Sequence, residues 1–139
     1  MKLRVFLISA IVVTTFLLSS CVTSHDFSDE ITCDDFSEKH HQSGDFEVEV
    51  GDKIRLELCS NMTTGFRWTY EITNESVLKF EDYDYLEPKD DNLVGAAGTD
   101  IWTFEAVNEG TTEVLLEYSQ WWLGGIKAEW TYTMTVTVQ

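Results

Sequence analysis

Asn61-Met62-Thr63-Thr64-Gly65-Phe66 is the stretch of this chain best suited to gripping another molecule. Asn and Thr side chains hydrogen-bond their own backbone and Gly permits positive φ, so these residues between two strands predict a stiff, protruding loop. A second stretch, Gly95-Ala96-Ala97-Gly98 after Val94, is small enough to let another surface approach closely. A third, Tyr118-Ser119-Gln120-Trp121-Trp122-Leu123-Gly124-Gly125, holds adjacent tryptophans. These point to opposite faces of an extended chain, so at least one is expected to be exposed. Exposed Trp buries a large area at small entropic cost and marks binding surfaces. Taken singly, each stretch also has a plainer reading: a hairpin turn, a flexible connection, and a core tryptophan beside a surface one.

Catalytic chemistry finds less to work with. An activated nucleophile needs a base beside it, yet His25, His40 and His41 all precede Gly44 and the rest of the chain has no histidine. The His40-His41 pair lacks further ligands at metal-site spacing and reads as solvated linker. Asp90-Asp91 is a paired acid without an EF-hand around it. There is no phosphate loop and no dinucleotide fingerprint. No enzyme activity, metal or cofactor is expected.

The first twenty residues differ from the rest. Lys2 and Arg4 precede an apolar run, Val5 to Leu18, broken only by Ser9, Thr14 and Thr15. A basic start, a short apolar run and small residues before a cleavage point describe a secretory signal peptide. The run is short of the roughly 20 residues of a membrane-spanning helix. Leu18-Ser19-Ser20-Cys21 resembles a prokaryotic lipobox, in which the cysteine becomes the lipid-bearing N-terminus. Residues 1–20 are therefore expected as signal peptide, Cys21 as the lipidated residue, and the protein as membrane-anchored on the extracytoplasmic side, in the periplasm or at the cell surface. Without Lys2 and Arg4, seven Lys and Arg face 25 Asp and Glu, a net charge of −18. That excess argues against nucleic acid and anionic lipid as partners. With Cys21 lipidated, Cys33 and Cys59 remain, either as a disulfide or as two thiols. Residues 21–43 are polar, acidic and without clear period, which predicts a flexible tether.

From Gly44 to Gln139 the pattern has period two. Phe46, Val48 and Val50 alternate with Glu47 and Glu49, and Ile54, Leu56 and Leu58 with Arg55 and Glu57, about a Gly51-Asp52 turn. Phe66, Trp68 and Tyr70 continue it, Val77 to Phe80 is a short strand, and residues 81–97 read as a long loop. Thr99 to Ala106, Val114 to Tyr118 and Ala128 to Val138 complete about seven strands. The expected fold is all-β: one immunoglobulin-like antiparallel sandwich.

Taken together, the three stretches resemble the chagasin family of cysteine-protease inhibitors. Its hallmark is an Asn-Pro-Thr-Thr-Gly-Phe/Tyr loop, then a Gly-x-Gly-Gly-type loop, then an Arg-Pro-Trp/Phe loop. Asn61 to Phe66 matches the first except at Met62, Gly95 to Gly98 matches the second in part, and Gln120-Trp121-Trp122 stands in the place of the third. Order and spacing agree from residue 45 to 139. The resemblance implies a sandwich whose loops form a tripartite wedge at one end. Thr63, Thr64 and Gly65 would enter the cleft of a papain-family protease, and Trp122 would pack on the enzyme. Inhibition would be reversible occlusion by a monomer. Met62, Ala97, Gln120 and Trp121 depart from the pattern, and the last two imply a third loop without its charge and its rigid residue. Asn61-Met62-Thr63 and Asn74-Glu75-Ser76 also read as glycosylation sequons. Two readings compete: a surface-anchored module for carbohydrate or protein adhesion through the Trp loop, and a structural lipoprotein domain.

Overall fold

The alternating segments form strands in a computed structural model that describes residues 23–89 and 94–139. The order is β1 (Asp26–Ile31), α1 (Cys33–Glu38), β2 (His41–Val48), β3 (Lys53–Ser60), a 3-10 turn (Met62–Thr64), β4 (Phe66–Ile72), β5 (Leu78–Leu86), β6 (Gly98–Ala106), β7 (Gly110–Gln120) and β8 (Trp130–Val138). They build two four-stranded sheets, β1-β3-β6-β5 and β2-β8-β7-β4. The sandwich matches the expected class, with eight strands rather than seven. Both sheets are mixed, because β1 runs parallel to β3 and β2 parallel to β8.

Inward positions of facing strands make the core. Ile54, Leu56 and Leu58 of β3 and Phe104 of β6 are fully buried, as are Val114 and Leu116 of β7 and Tyr132, Met134 and Val136 of β8. Each Leu, Ile or Val buried in this way contributes about 1.5–3 kcal/mol. Val50, expected on a strand, instead lies exposed in the turn after β2.

Two segments differ from expectation. Residues 26–43, expected as tether, are structured: they form β1, α1 and the start of β2. Thr32 caps α1 in a reciprocal box, its hydroxyl accepting from the Asp35 amide at 3.2 Å while Asp35 accepts from the Thr32 amide at 2.8 Å. That box lets a six-residue helix close, and Phe36 carries it into the core with no exposed surface. The Tyr132 hydroxyl donates to Asp29 at 2.7 Å, tying β8 to β1 across the sandwich. A Cβ at Gly44 would fall 2.3 Å from that hydroxyl, so only glycine fits there. A Cys33–Cys59 disulfide fastens α1 to β3, which settles the choice left open for these thiols. The second segment is 81–86, expected as loop, which continues β5 to Leu86. A register shift between Phe80 and Asp82 breaks the period, and as an edge strand β5 keeps acids on its outer side. Residues 1–22, with the expected signal peptide and Cys21, and Asp90-Asp91 lie outside the described residues.

At the end where β1 begins, the carboxylate of Asp52 is almost wholly buried and accepts from the amides of His25 and Glu49, each at 2.8 Å. The bond from the His25 amide is the main cause that holds its pKa below the ordinary carboxylate value.

Replacing Cys33 and Cys59 together by Ser removes a cross-link spanning 26 residues, and lowers unfolding free energy by about 3–4 kcal/mol in urea titrations. A carboxylate with a lowered folded pKa contributes its full stability above its unfolded value, about pH 4, and loses it as pH falls through the folded value. Asp52→Asn therefore lowers the urea midpoint at neutral pH and flattens its decline below about pH 4.

Candidate functional site

The first loop begins where β3 ends. Asn61 is extended, at φ −122 and ψ 95, and caps the 3-10 turn. Its Oδ1 accepts from the Thr63 amide at 3.1 Å and the Thr63 hydroxyl at 2.6 Å, while the Thr64 hydroxyl donates to the Asn61 carbonyl at 2.6 Å. Gly65 ends the turn in the left-handed region, at φ 77 and ψ 0. Asn61 Oδ1 and the Thr64 hydroxyl thus bond the loop's own backbone and the Thr63 hydroxyl bonds Asn61, which gives the stiffness read from the sequence. Met62, Thr63 and Thr64 are exposed at its tip.

Beneath it stands a column of rings. Phe66 stacks on Tyr118 at 5.1 Å, Tyr118 on Trp130 at 4.9 Å, and Trp130 on Phe36 at 4.9 Å. Phe66 is therefore half-buried support for the loop. The Tyr118 hydroxyl accepts from the Asn61 amide at 2.8 Å and donates to the Asn61 carbonyl at 3.3 Å. The buried Trp68 indole donates to the Cys59 carbonyl at 3.0 Å, holding the strand that leads into the loop.

The second stretch joins through the bond from Asn61 Nδ2 to the Gly95 carbonyl at 2.8 Å. Gly95 and Ala96 lie beside the first loop's polar network, Ala97 packs against the core, and Gly98 is the buried first residue of β6. Gly95 and Ala96 are thus placed for contact, and Ala97 and Gly98 turn inward.

The third stretch folds back on itself. The Gln120 amide donates to the Ile126 carbonyl at 2.7 Å, and the Gln120 side chain accepts from the Ile126 amide at 2.9 Å. Lys127 reaches across and donates through Nζ to the carbonyls of Gln120 and Trp122. The place of the family's arginine is held by neutral Gln120, while Lys127, just beyond the stretch and in no motif that would single it out, brings a cation against the loop's backbone. Neither tryptophan is core. Trp121 is 72% exposed and Trp122 39%, and their rings meet edge to face at 5.8 Å. Trp122 lies over Gly65, where a Cβ would fall 2.5 Å from its ring. Leu123 is fully exposed and Ile126 half exposed.

Asn61, Gly95 and Trp122 therefore bring the three stretches together at one end of the sandwich. Beside Met62, a cleft of about 240 Å³ is bordered by Asp100, Tyr83 and Arg67. Burial raises the Asp100 pKa even though the Tyr83 hydroxyl donates to it at 3.0 Å, and burial likewise pushes Tyr83 up to about 12. The histidines lie elsewhere: His25 beside Asp52, and His41 on β2 against Thr131 at 2.9 Å.

Residues 47–136 match the family described as Chagasin family peptidase inhibitor I42. Chagasin of Trypanosoma cruzi is 36% identical over 91 residues, covering 62% of this chain and 81% of chagasin. Amoebiasin-2 of Entamoeba histolytica is 25% identical over 92 residues, covering 66% and 75%. Among solved structures, the Entamoeba histolytica cysteine protease inhibitor EhICP2 superposes with a TM-score of 0.65 at 22% identity, over 84% of this chain and all of that one. PbICP-C, solved in complex with falcipain-2, superposes with a TM-score of 0.55 at 17% identity, over 81% and 99%. At those identities the two structures speak for the fold alone. With the family match spanning most of the domain and the loop hallmark gathered at one end, this chain belongs to the chagasin family of peptidase inhibitors.

Proposed function

We propose that the protein inhibits papain-family cysteine proteases by occluding their catalytic cleft with the three gathered loops. The observation that carries this reading is the first loop itself: a protruding turn whose tip residues are exposed and whose polar groups are already satisfied internally. Such a loop loses little entropy on binding and offers a protease no slack backbone to bend into a cleavable geometry. Met62, Thr63, Thr64 and Gly65 form the inserted edge. Gly95 and Ala96 flank it on one side, and the Trp121-Trp122 segment on the other. The partner class rests on the match to a family of peptidase inhibitors and on the loop resemblance carried by Asn61 to Phe66.

Export and lipid anchoring at Cys21 form the second half of the proposal. Their support is Lys2 and Arg4, the apolar run to Leu18, and the Ser19-Ser20-Cys21 ending. The Cys33–Cys59 disulfide agrees with an oxidising compartment. Metabolic labelling with a radioactive fatty acid, absent from a Cys21→Ala chain, tests it.

Two outcomes are expected of the loop. In titrations against papain the purified protein inhibits stoichiometrically, whereas a Thr64→Asp, Gly65→Glu double variant, shown folded by circular dichroism, loses at least about 100-fold in affinity. Carbohydrate or surface-protein binding that needs Trp121 and ignores this pair would favour the adhesion reading instead. Met62→Pro is expected to fold and to tighten inhibition about two- to fivefold, measured as Ki. Position 62 opens the 3-10 turn and Asn61 before it is already extended, which are the conditions proline requires.

A further inference from the structure

Trp121 and Trp122 are adjacent, yet their surroundings differ in kind. Trp122 has one face on Gly65: a Cβ built there would lie 2.5 and 2.7 Å from its Cζ3 and Cη2 atoms. That separation leaves room for a hydrogen and nothing larger, so the indole covers the left-handed residue that ends the first loop. The Lys127 ammonium donates to the Trp122 carbonyl at 3.2 Å, and the Gly125 amide donates to the same carbonyl at 3.1 Å. Trp122 is therefore held from its backbone and pressed on the wedge from its side chain. Trp121 meets the Trp122 ring edge to face and leaves 72% of its surface free, and Leu123 leaves all of its own.

We infer that the two tryptophans divide the work, with Trp122 as a positioning residue that braces Gly65 and Trp121 with Leu123 as the apolar pair that contacts the protease. This rests on the inhibitor reading and moves the contact away from Trp122, where the family resemblance places it. The pair suits an apolar strip on the rim of the cleft, since an indole and an isobutyl group gain from desolvation only against apolar surface. The pair is continuous with the inserted edge, because the residue between its members is the one lying on Gly65.

A double-mutant cycle separates the roles. Inhibition of papain is measured for the wild type, Gly65→Ala, Trp122→Ala and the pair, with amide hydrogen exchange followed across residues 61–66. Trp122→Ala is expected to weaken inhibition about tenfold and to speed exchange at Thr64 and Gly65, and Trp122→Phe to restore most of both. The Gly65→Ala penalty shrinks at least about threefold once the indole is gone, because the clash goes with it. Trp121→Ala weakens inhibition about tenfold and Leu123→Ala about threefold, both with wild-type exchange, and both add independently to Gly65→Ala. Additive effects at Gly65 and Trp122 with unchanged exchange would overturn the brace. Unchanged inhibition in Trp121→Ala and Leu123→Ala would overturn the contact pair. If the wild type leaves papain uninhibited, the inhibitor reading fails and the contact pair with it, while exchange and the same cycle read in thermal midpoints still decide the brace.

Discussion

One hydroxyl holds the working end of this molecule. Tyr118 extends from the core to the backbone of Asn61, accepting from its amide and donating to its carbonyl. Both groups sit where β3 stops and would otherwise be left without a strand partner, so the bond pair continues the sheet's hydrogen bonding by one residue in side-chain form. The polar network that stiffens the first loop starts from the position this fixes. The cap on Thr63, the bond from Thr64 and the reach of Nδ2 to Gly95 all originate at Asn61. Tyr118 is itself held between Phe66 and Trp130, and Trp130 against Phe36.

This arrangement explains why a small domain can carry a rigid edge. The ring column runs from the loop back to α1, and α1 is cross-linked to β3 two residues before Asn61. Strand, helix and column thus close a circuit under the loop. The third loop joins from outside, its own ends clamped by Gln120 and Lys127, and lays an indole on the glycine that the turn cannot do without. Preorganisation here comes from several modest bonds that share two residues, Asn61 and Trp122.

Much of this was legible in the residues themselves. Alternation located β3, β4, β6, β7 and β8, because each has one face in the core and one in water. The stiffness of Asn61 to Gly65 followed from side chains that habitually bond their own backbone. What escaped had physical reasons. In β1 and the first half of β2 the alternation is broken because inward positions hold Asp29, Gln42 and Gly44 in place of apolar side chains, and α1 is one capped turn of six residues whose only buried side chain is Phe36. The bulge after Phe80 concealed β5. The distinct surroundings of Trp121 and Trp122 depend on a fold-back closed by Ile126 and Lys127, which no local pattern announces.

The parallel pairing of β1 with β3 also sets a direction. Asp26 lies beside Lys53 and Ile31 beside Leu58, so the chain enters the sandwich at the pole opposite Asn61. At about 3.3 Å per residue, the eight residues of β3 put roughly 25 Å between entry and wedge. Four residues, Val22 to His25, separate Cys21 from β1. A lipid on Cys21 would then act as a short leash, with the inhibitory edge standing off into the aqueous phase. Such a molecule would meet its target head-on from the water, with no need to bend over or leave the bilayer.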